Sequence, residues 1–371
     1  MRLIYLYSIL VFVILPSSIG VMAQEAVAER LLLVTLDGLR WQELFTGADA
    51  RLMTKDGGNV NDEDALRNRF FRDSPEERRI ALMPFFWNSM AAQGQVFGDP
   101  DHDSSVTVTN GHFFSYPGYN EILSGIGDPA IDSNDKNPNP NVSVLEFLHN
   151  KSNFAGQVFA FGSWDVFPFI LNEGRSGIPV NAGWEPLNEG HDSDSLERLD
   201  AIAKELPAVW PSVRYDIFTL EGALHCLRTQ KPKILYVALG ETDDWAHEGR
   251  YDLYLDSANR NDRYIQRLWQ AAQAMPEFAN KTALILTTDH GRGDGREGWK
   301  SHGVDYPGSD KMWIAVMGPG IKSLGVRNSV HVTQAQVAAT VAKLLGHDFS
   351  VTNQNVAPPL PLAPVVVEDN Q

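Results

Sequence analysis

Three short segments bring carboxylates and imidazoles together at spacings that suit a divalent metal ion. Asp243 and His247 stand four residues apart in GETDDWAHEG. Residues four apart share one face of a helix, so a helix beginning here would let both hold one cation. The same spacing also describes an ordinary surface pair or a helix cap. Asp289 and His290 are adjacent, directly after the apolar run Ala283–Thr287 and before Gly291-Arg292-Gly293. That is an arrangement for ligands, with a turn and a capping Asp as the bland alternative. His302, in Lys300-Ser301-His302-Gly303, and Asp37, in TLDGLR, say little when taken singly. Asp37 could simply cap the next helix.

Such residues need a scaffold that gathers them. Apolar runs at Leu31–Leu36, Gln157–Phe161, Ile234–Leu239, Ala283–Thr287 and Met312–Met317 are β-rich and too short for helices. Helical patterns lie between them. The alternation predicts an α/β fold with a central, mostly parallel sheet and helices on both faces. Ligands collect outside the carboxyl ends of such strands, which is where Asp37, Asp243 and Asp289 fall. Ala81–Gly94 reads as a helix leading to the short run Val96-Phe97. The polar stretch 47–77 has no clean periodicity and reads as a surface insertion. Gly125–Asn141 and Asn172–Asp194 read as long loops, common places for substrate recognition. No second boundary is visible, so 24–356 is expected to form a single domain. The tail 357–371, with four prolines, is expected to be extended on the surface or frayed.

The ends and the charge bound the setting. Residues 1–23 carry Arg2, then an apolar run, then Pro16 and small residues up to Ala23. That is the layout of a cleavable signal peptide, and it predicts a periplasmic or secreted protein. An uncleaved anchor is the alternative; no later segment is long and apolar enough to span a membrane. Formal charge is −16, and losing Arg2 with the leader makes it one unit more negative. Such a balance argues against nucleic acid as a partner. It also repels a phosphate ester unless bound cations reverse the local field. Cys226 is the only cysteine, so no internal disulfide can form.

The joint order carries more than any member. A strand ends in Asp37; a serine-bearing turn follows, then Asp243-x-x-x-His247, Asp289-His290 and His302. This order resembles the alkaline phosphatase superfamily, above all its nucleotide pyrophosphatase/phosphodiesterase, phosphomonoesterase and cofactor-independent mutase branches. The likeness runs from Leu31 to about Gly346. Met83-Pro84-Phe85-Phe86 onward to Gly94 resembles the family's early helix, which usually starts with Thr-Pro. VTQAQVAATVAKLLG, Val332–Gly346, is similar to its late helix.

The resemblance implies an alkaline phosphatase-like fold and two divalent metal ions. Asp243, His247 and His302 would hold one; Asp37, Asp289 and His290 would hold the other, with the nucleophile bridging toward it. Mixed imidazole and carboxylate ligands suit Zn²⁺, with Mn²⁺ as the alternative. A bound cation favours the alkoxide of a serine, and a second stabilises the leaving oxygen. The family's Thr-Phe-Pro-Asn-His turn has its counterpart in Ser115-Tyr116-Pro117-Gly118-Tyr119, which makes Ser115 the implied nucleophile. An ordinary turn serine is the other reading, and Thr109 and Ser124 are further candidates. Tyr116 would offer its backbone N–H to the transferred group. Asn134, Lys136 and Asn137 lie where relatives place an assisting Asn, in a loop that departs from the family pattern.

Other departures keep alternatives open. About a dozen residues separate His290 from His302, where phosphodiesterase relatives usually carry a long insert. The short spacing is closer to monoesterases and mutases, and a leader argues against a cytoplasmic mutase. Ser115-Tyr116-Pro117 fits the start of the sulfatase core, but Tyr119 stands where that core has Arg. The expected function is hydrolysis of a small-molecule phosphate mono- or diester through a phosphoseryl intermediate. The alternatives are sulfate ester hydrolysis by a modified Ser115, or an inactive metal- or carbohydrate-binding protein of the same fold.

Overall fold

The computed structural model describes residues 26–188 and 193–365. The expected leader, 1–23, lies outside the described residues, as does the end of the tail. Among the described residues, no helix is long and apolar enough to cross a membrane.

Among the described residues, eleven strands are laid down in chain order. They are β1 (Arg30–Leu36), β2 (Gln95–Phe97), β3 (Ser105–Thr107), β4 (Val158–Gly162), β5 (Val180–Ala182), β6 (Ile234–Leu239), β7 (Thr282–Thr287), β8 (Lys311–Met312), β9 (Ile314–Met317), β10 (Gly325–Val326) and β11 (His331–Thr333). Eight form one sheet in the order β10-β2-β9-β7-β1-β6-β4-β5. Its pairs are parallel except those made by β9, which runs antiparallel to both β7 and β2. β1 lies at the middle, parallel to β6 on one side and to β7 on the other. Leu32, Val34 and Leu36 point into one apolar cluster, and Leu31 and Leu33 into the cluster on the opposite face. A strand buried on both faces reads as a continuous apolar run, which is why β1, β6 and β7 are plain in the sequence. The architecture is α/β, with a mostly parallel central sheet and helices on both faces.

Several local expectations change. The run Met312–Met317 is two strands: β8 pairs with β3 in a three-stranded sheet, and β9 enters the main sheet. The chain changes sheets at Trp313, whose indole N–H donates to the Leu39 carbonyl at 2.9 Å. The helix expected over Ala81–Gly94 is broken at Met83, because the residue before a proline is driven out of helical conformation. Beyond it, Phe86–Ala91 forms a π-helix, and the Asp262 carboxylate accepts from the Phe85 and Phe86 N–H groups at 2.7 and 2.8 Å.

The 47–77 stretch is no bare excursion. It forms helices at Lys55–Gly58 and Glu63–Phe70 and starts a third, Pro75–Leu82. Leu52, Met53, Val60, Leu66 and Phe70 are buried in the main apolar cluster. Leu66 and Phe70 sit one helical turn apart, a sparse apolar stripe masked by charged neighbours. Asn172–Asp194 likewise holds a short helix, Glu173–Ser176, and the edge strand β5. The tail is extended as far as it is described, and docked: Leu360 is buried, and the Ala363 N–H donates to Gln95 Oε1 at 3.1 Å.

One close approach couples the sheet to the helix Ser115–Ser124. Gly118 lies against the backbone of Asp289, and a Cβ there would overlap the Asp289 carbonyl. Neither backbone can swing aside as a side chain would. Gly118→Ala should therefore cost about 1–3 kcal/mol, the usual range for overpacking. A thermal melt should show the loss as a Tm lower by several degrees; an unchanged Tm would mean that the helix shifts freely.

Candidate active site

Parallel strands that are neighbours end on the same side, and here their ends supply the candidate ligands. Asp37 follows β1, and Asp289-His290 follows β7 after Thr288. After β6, Gly240 opens the helix Glu241–His247, which presents Asp243 and His247 one turn apart. His302 arrives from the loop beyond the short helix Gly295–Gly298. Two groups result, each with its ligand atoms within 4.8 Å of one another: Asp243, His247 and His302, and Asp37, Asp289 and His290. All six residues singled out in the sequence thus come together.

Donor chemistry within each group fits a cation. Asp289 Oδ1 accepts from the Gly38 N–H at 3.0 Å, and Asp37 Oδ2 accepts from the Tyr119 hydroxyl at 2.9 Å. The other oxygens, Asp37 Oδ1 and Asp289 Oδ2, are buried without a hydrogen-bond partner. Each lies 3.4 Å from His290 Nε2. His290 Nδ1 is 2.9 Å from the Gly291 carbonyl, which can only accept. Nδ1 therefore carries a proton, and Nε2 faces the carboxylates in the ligating position. In the other group, His247 Nε2 and His302 Nε2 stand 3.0 Å apart, and His247 Nε2 is 3.2 Å from Asp243 Oδ2. Buried carboxylate oxygens without partners are costly, and a divalent ion is what such a donor set accommodates.

The electrostatics say the same. Burial first, then Asp243, pushes the Asp37 carboxyl up. Burial and Asp37 push Asp289 well above the ordinary carboxylate range. Burial alone would lower His290, but Asp289, Asp37 and Asp243 outweigh it and raise the imidazole to about 9. A proton there partly balances the carboxylates. Burial, then the cations His290 and Arg292, push His302 down to about 2.

The sequence reading missed Arg292. It is fully buried, pairs with Asp243, and donates from Nε to the Trp299 carbonyl at 2.9 Å and from Nη2 to the Lys300 carbonyl at 2.6 Å. It thereby ties the loop carrying His302 to the other ligands. Its pairing outweighs burial and holds Asp243 well below the usual range. The available signal was an arginine framed by glycines immediately after Asp289-His290.

Ser115 opens the helix Ser115–Ser124, and its Oγ lies 3.4 Å from His290 Nε2. A helix N-terminus favours an anion by its dipole and its unpaired N–H groups. The turn before it is held from below. The Asn110 side-chain oxygen accepts from the His112 and Phe113 N–H groups, and Phe113 has φ +58°. The buried Glu121 carboxylate fixes Asn110 and Thr109 in turn through their N–H groups, each at 3.0 Å. Thr109 Oγ1 donates to Glu121 and Ser124 Oγ donates to the Ile126 carbonyl, so both alternative nucleophiles have structural duties.

Of the substrate-recognition candidates, Asn134 lines the pocket beside Ser115, and its Oδ1 accepts the Tyr116 N–H at 3.0 Å. That N–H is therefore occupied, and the Tyr116 hydroxyl points to the Asn137 carbonyl at 2.6 Å. Asn137 contributes that carbonyl and lies outside the pocket wall. Lys136 also lies outside it, its Nζ 2.7 Å from Asp165 Oδ2. The pair is solvent-exposed, and it turns the lysine toward Asp165. The pocket, about 210 Å³, also takes in Trp164 and Asp244, which the sequence reading passed over.

The fold and the matched sequence define a class: this is a member of the alkaline phosphatase superfamily. The sequence profile of the type I phosphodiesterase / nucleotide pyrophosphatase family matches residues 61–359, and the chain belongs to that family. It is 25% identical over 369 residues to GPI ethanolamine phosphate transferase 1 of Aspergillus oryzae, covering 90% of this chain and 31% of that protein. The mouse protein of the same name is 24% identical over 268 residues, 66% of this chain and 27% of the relative. The chain therefore spans about a third of the length of these curated relatives. Among solved structures, the alkaline phosphatase PafA superposes with TM-score 0.56 at 12% identity, covering 90% of this chain and 98% of that one. An alkaline phosphatase superfamily protein from Vibrio parahaemolyticus gives 0.54 at 12% identity, over 91% of this chain and 73% of the other. At these identities the likeness is one of fold.

Metal loading should depend on pH with a definite sign. Below about 9, His290 carries a proton that an incoming ion must displace. Apparent Zn²⁺ affinity should therefore rise with pH through the neutral range, by up to about tenfold per unit. Competition with a chromophoric chelator at several pH values measures it, and a flat profile would contradict ligation by His290.

Proposed function

We propose that this protein is an exported two-metal phosphohydrolase that cleaves a small-molecule phosphate mono- or diester through a phosphoseryl intermediate. The observation that carries this reading is the convergence of two carboxylate–imidazole groups on one serine, with Ser115 Oγ 3.4 Å from His290 Nε2. Asp243, His247 and His302 would hold one ion; Asp37, Asp289 and His290 would hold the second. Zn²⁺ suits these ligands best, with Mn²⁺ the alternative. When bound, the ions supply Lewis acidity, neutralising phosphoryl oxygens and favouring an ionised hydroxyl.

The chain's own residues do the rest. Ser115 Oγ attacks phosphorus, the bond to the leaving alcohol oxygen breaks, and the alcohol departs with a proton. Water then attacks the phosphoserine, releasing phosphate or its monoester and restoring the hydroxyl. The N-terminus of the helix Ser115–Ser124 points partial positive charge at the developing anion. Asn134, with its Oδ1 engaged by Tyr116, is placed to donate from Nδ2 to a phosphoryl oxygen.

Resolution of the phosphoserine by an alcohol instead of water would make the enzyme a transferase, as the relatives' names describe. Sulfate ester chemistry has less support. Tyr119, standing where the sulfatase core has Arg, spends its hydroxyl on Asp37. The mass of the peptide carrying residue 115 would reveal a formylglycine directly. An inactive binding protein has no evident need for both ligand groups and an aligned serine.

Ser115→Ala removes the attacking oxygen and leaves the six protein ligands. It should keep both ions by elemental analysis while activity falls by about 10³-fold or more. Acid quench of the unaltered enzyme with phosphorus-labelled ester should trap label on the Ser115 peptide. Near-normal turnover by Ser115→Ala, with Thr109→Ala inactive, would move the nucleophile; a single bound ion would retire the two-metal reading.

A further inference from the structure

The helix that carries Ser115 touches the Asp37, Asp289 and His290 group with a second side chain. Ser115 and Tyr119 stand four residues apart on the helix Ser115–Ser124, so they share one face. Ser115 Oγ lies 3.4 Å from His290 Nε2, and the Tyr119 hydroxyl donates to Asp37 Oδ2 at 2.9 Å. Tyr119 is buried, and its ring packs edge-to-face on Phe167 with centroids 4.8 Å apart. A phenol keeps its proton near neutral pH, so this hydroxyl is a donor aimed at a carboxylate.

The backbone of Asp37 is already fixed. Its N–H donates to the Leu239 carbonyl at 2.9 Å, and its carbonyl accepts from the Thr242 hydroxyl at 2.5 Å. Only the side-chain torsions remain, and Tyr119 sets those. With Oδ2 engaged, Oδ1 is left without a hydrogen-bond partner, 3.4 Å from His290 Nε2. One oxygen anchored and one free is the arrangement of a carboxylate that offers a cation a single atom. Partners that orient a ligand from behind are worth about 10–100-fold in metal affinity. Asp289 and His290 have theirs in backbone groups, the Gly38 N–H and the Gly291 carbonyl. For Asp37 the anchor is a side chain, so a substitution can remove it. The second group is held by other residues: Asp243 pairs with Arg292, and His302 Nδ1 is buried without a hydrogen-bond partner.

We propose that Tyr119 is a positioning residue for an ion held by Asp37, Asp289 and His290. Its hydroxyl commits Asp37 to one free oxygen and registers the helix of Ser115 against that ligand. The inference rests on the two-metal reading above and adds the residue that sets the affinity of one group without touching the other.

Tyr119→Phe tests it by removing one oxygen atom while keeping the ring on Phe167. Zn²⁺ affinity is measured by competition with a chromophoric chelator in two backgrounds. His247→Ala leaves the Asp37 group intact, and His290→Ala leaves the Asp243 group intact. In the His247→Ala protein, Tyr119→Phe should weaken Zn²⁺ binding by about 10–100-fold. In the His290→Ala protein it should leave the affinity unchanged. A merely structural role would not separate the groups, so equal losses in both backgrounds would overturn the proposal. No loss in the first background would overturn it as well. Should Tyr119→Phe fail to fold, Phe167→Leu loosens the seat of the ring and keeps the hydroxyl. It should then weaken Zn²⁺ binding in the first background alone, and an unchanged affinity there would overturn the proposal. Zn²⁺ bound by the unaltered protein but indifferent to Tyr119→Phe sinks this inference and leaves the two-metal reading standing. No Zn²⁺ bound by the unaltered protein would sink both.

Discussion

The burial of several like charges at the ends of three adjacent strands governs this structure. Asp37, Asp243 and Asp289 converge where β1, β6 and β7 finish, with His290 fully buried among them. Carboxylates packed this closely raise one another's proton affinity, and a low-dielectric surround makes the repulsion larger. The protein tolerates the arrangement because each acid has one oxygen tied to a neutral donor or a cation. Gly38 N–H serves Asp289, Tyr119 serves Asp37, and Arg292 serves Asp243. What remains is a set of oxygens and ring nitrogens facing inward, too negative to be left without positive charge.

The elements around this cluster are built to keep it rigid. The helix Glu241–His247 is fastened at its start by a reciprocal pair. Asp216 accepts from the Gly240 and Glu241 N–H groups, while Glu241 Oε1 accepts from the Asp216 N–H at 2.8 Å. On the other side, Glu121 and Asn110 hold the turn that leads through Phe113 to Ser115. A left-handed Phe is strained, and such a residue persists where its surroundings over-determine it. Here the strain sets the serine at the head of a helix that packs, through Gly118, on the backbone of Asp289. The candidate nucleophile and a candidate ligand are thus joined by backbone contact, so movement of one is felt by the other.

Charge also explains the surroundings. The whole chain is acidic, and the pocket beside Ser115 is lined by Asp37, Asp243 and Asp244. A pocket of this kind has little attraction for a bare anion until cations fill it. On the two-metal reading proposed above, the ions would bind first and the ester second.

The central strands and the candidate ligand positions were legible in the sequence, for a local reason. A strand buried on both faces is apolar throughout, and function collects at its carboxyl end, so Asp37, Asp243 and Asp289 announce themselves by where they stand. Elements whose burial is one-sided or whose partners are remote did not. β5 is a short, mixed strand at the sheet edge, and the break at Trp313 depends on two different sheets. Arg292 meets Asp243 across 49 residues, and β1 meets β6 across about 200, so neither contact leaves a periodic trace. Lys136 shows the limit from the other side: its type and place suggested substrate, but its Nζ pairs with the Asp165 carboxylate outside the pocket wall. Sequence pattern reports how deeply an element is buried. Which side chains then meet is set by the order of strands in the sheet, and that order brings together residues with no local relation.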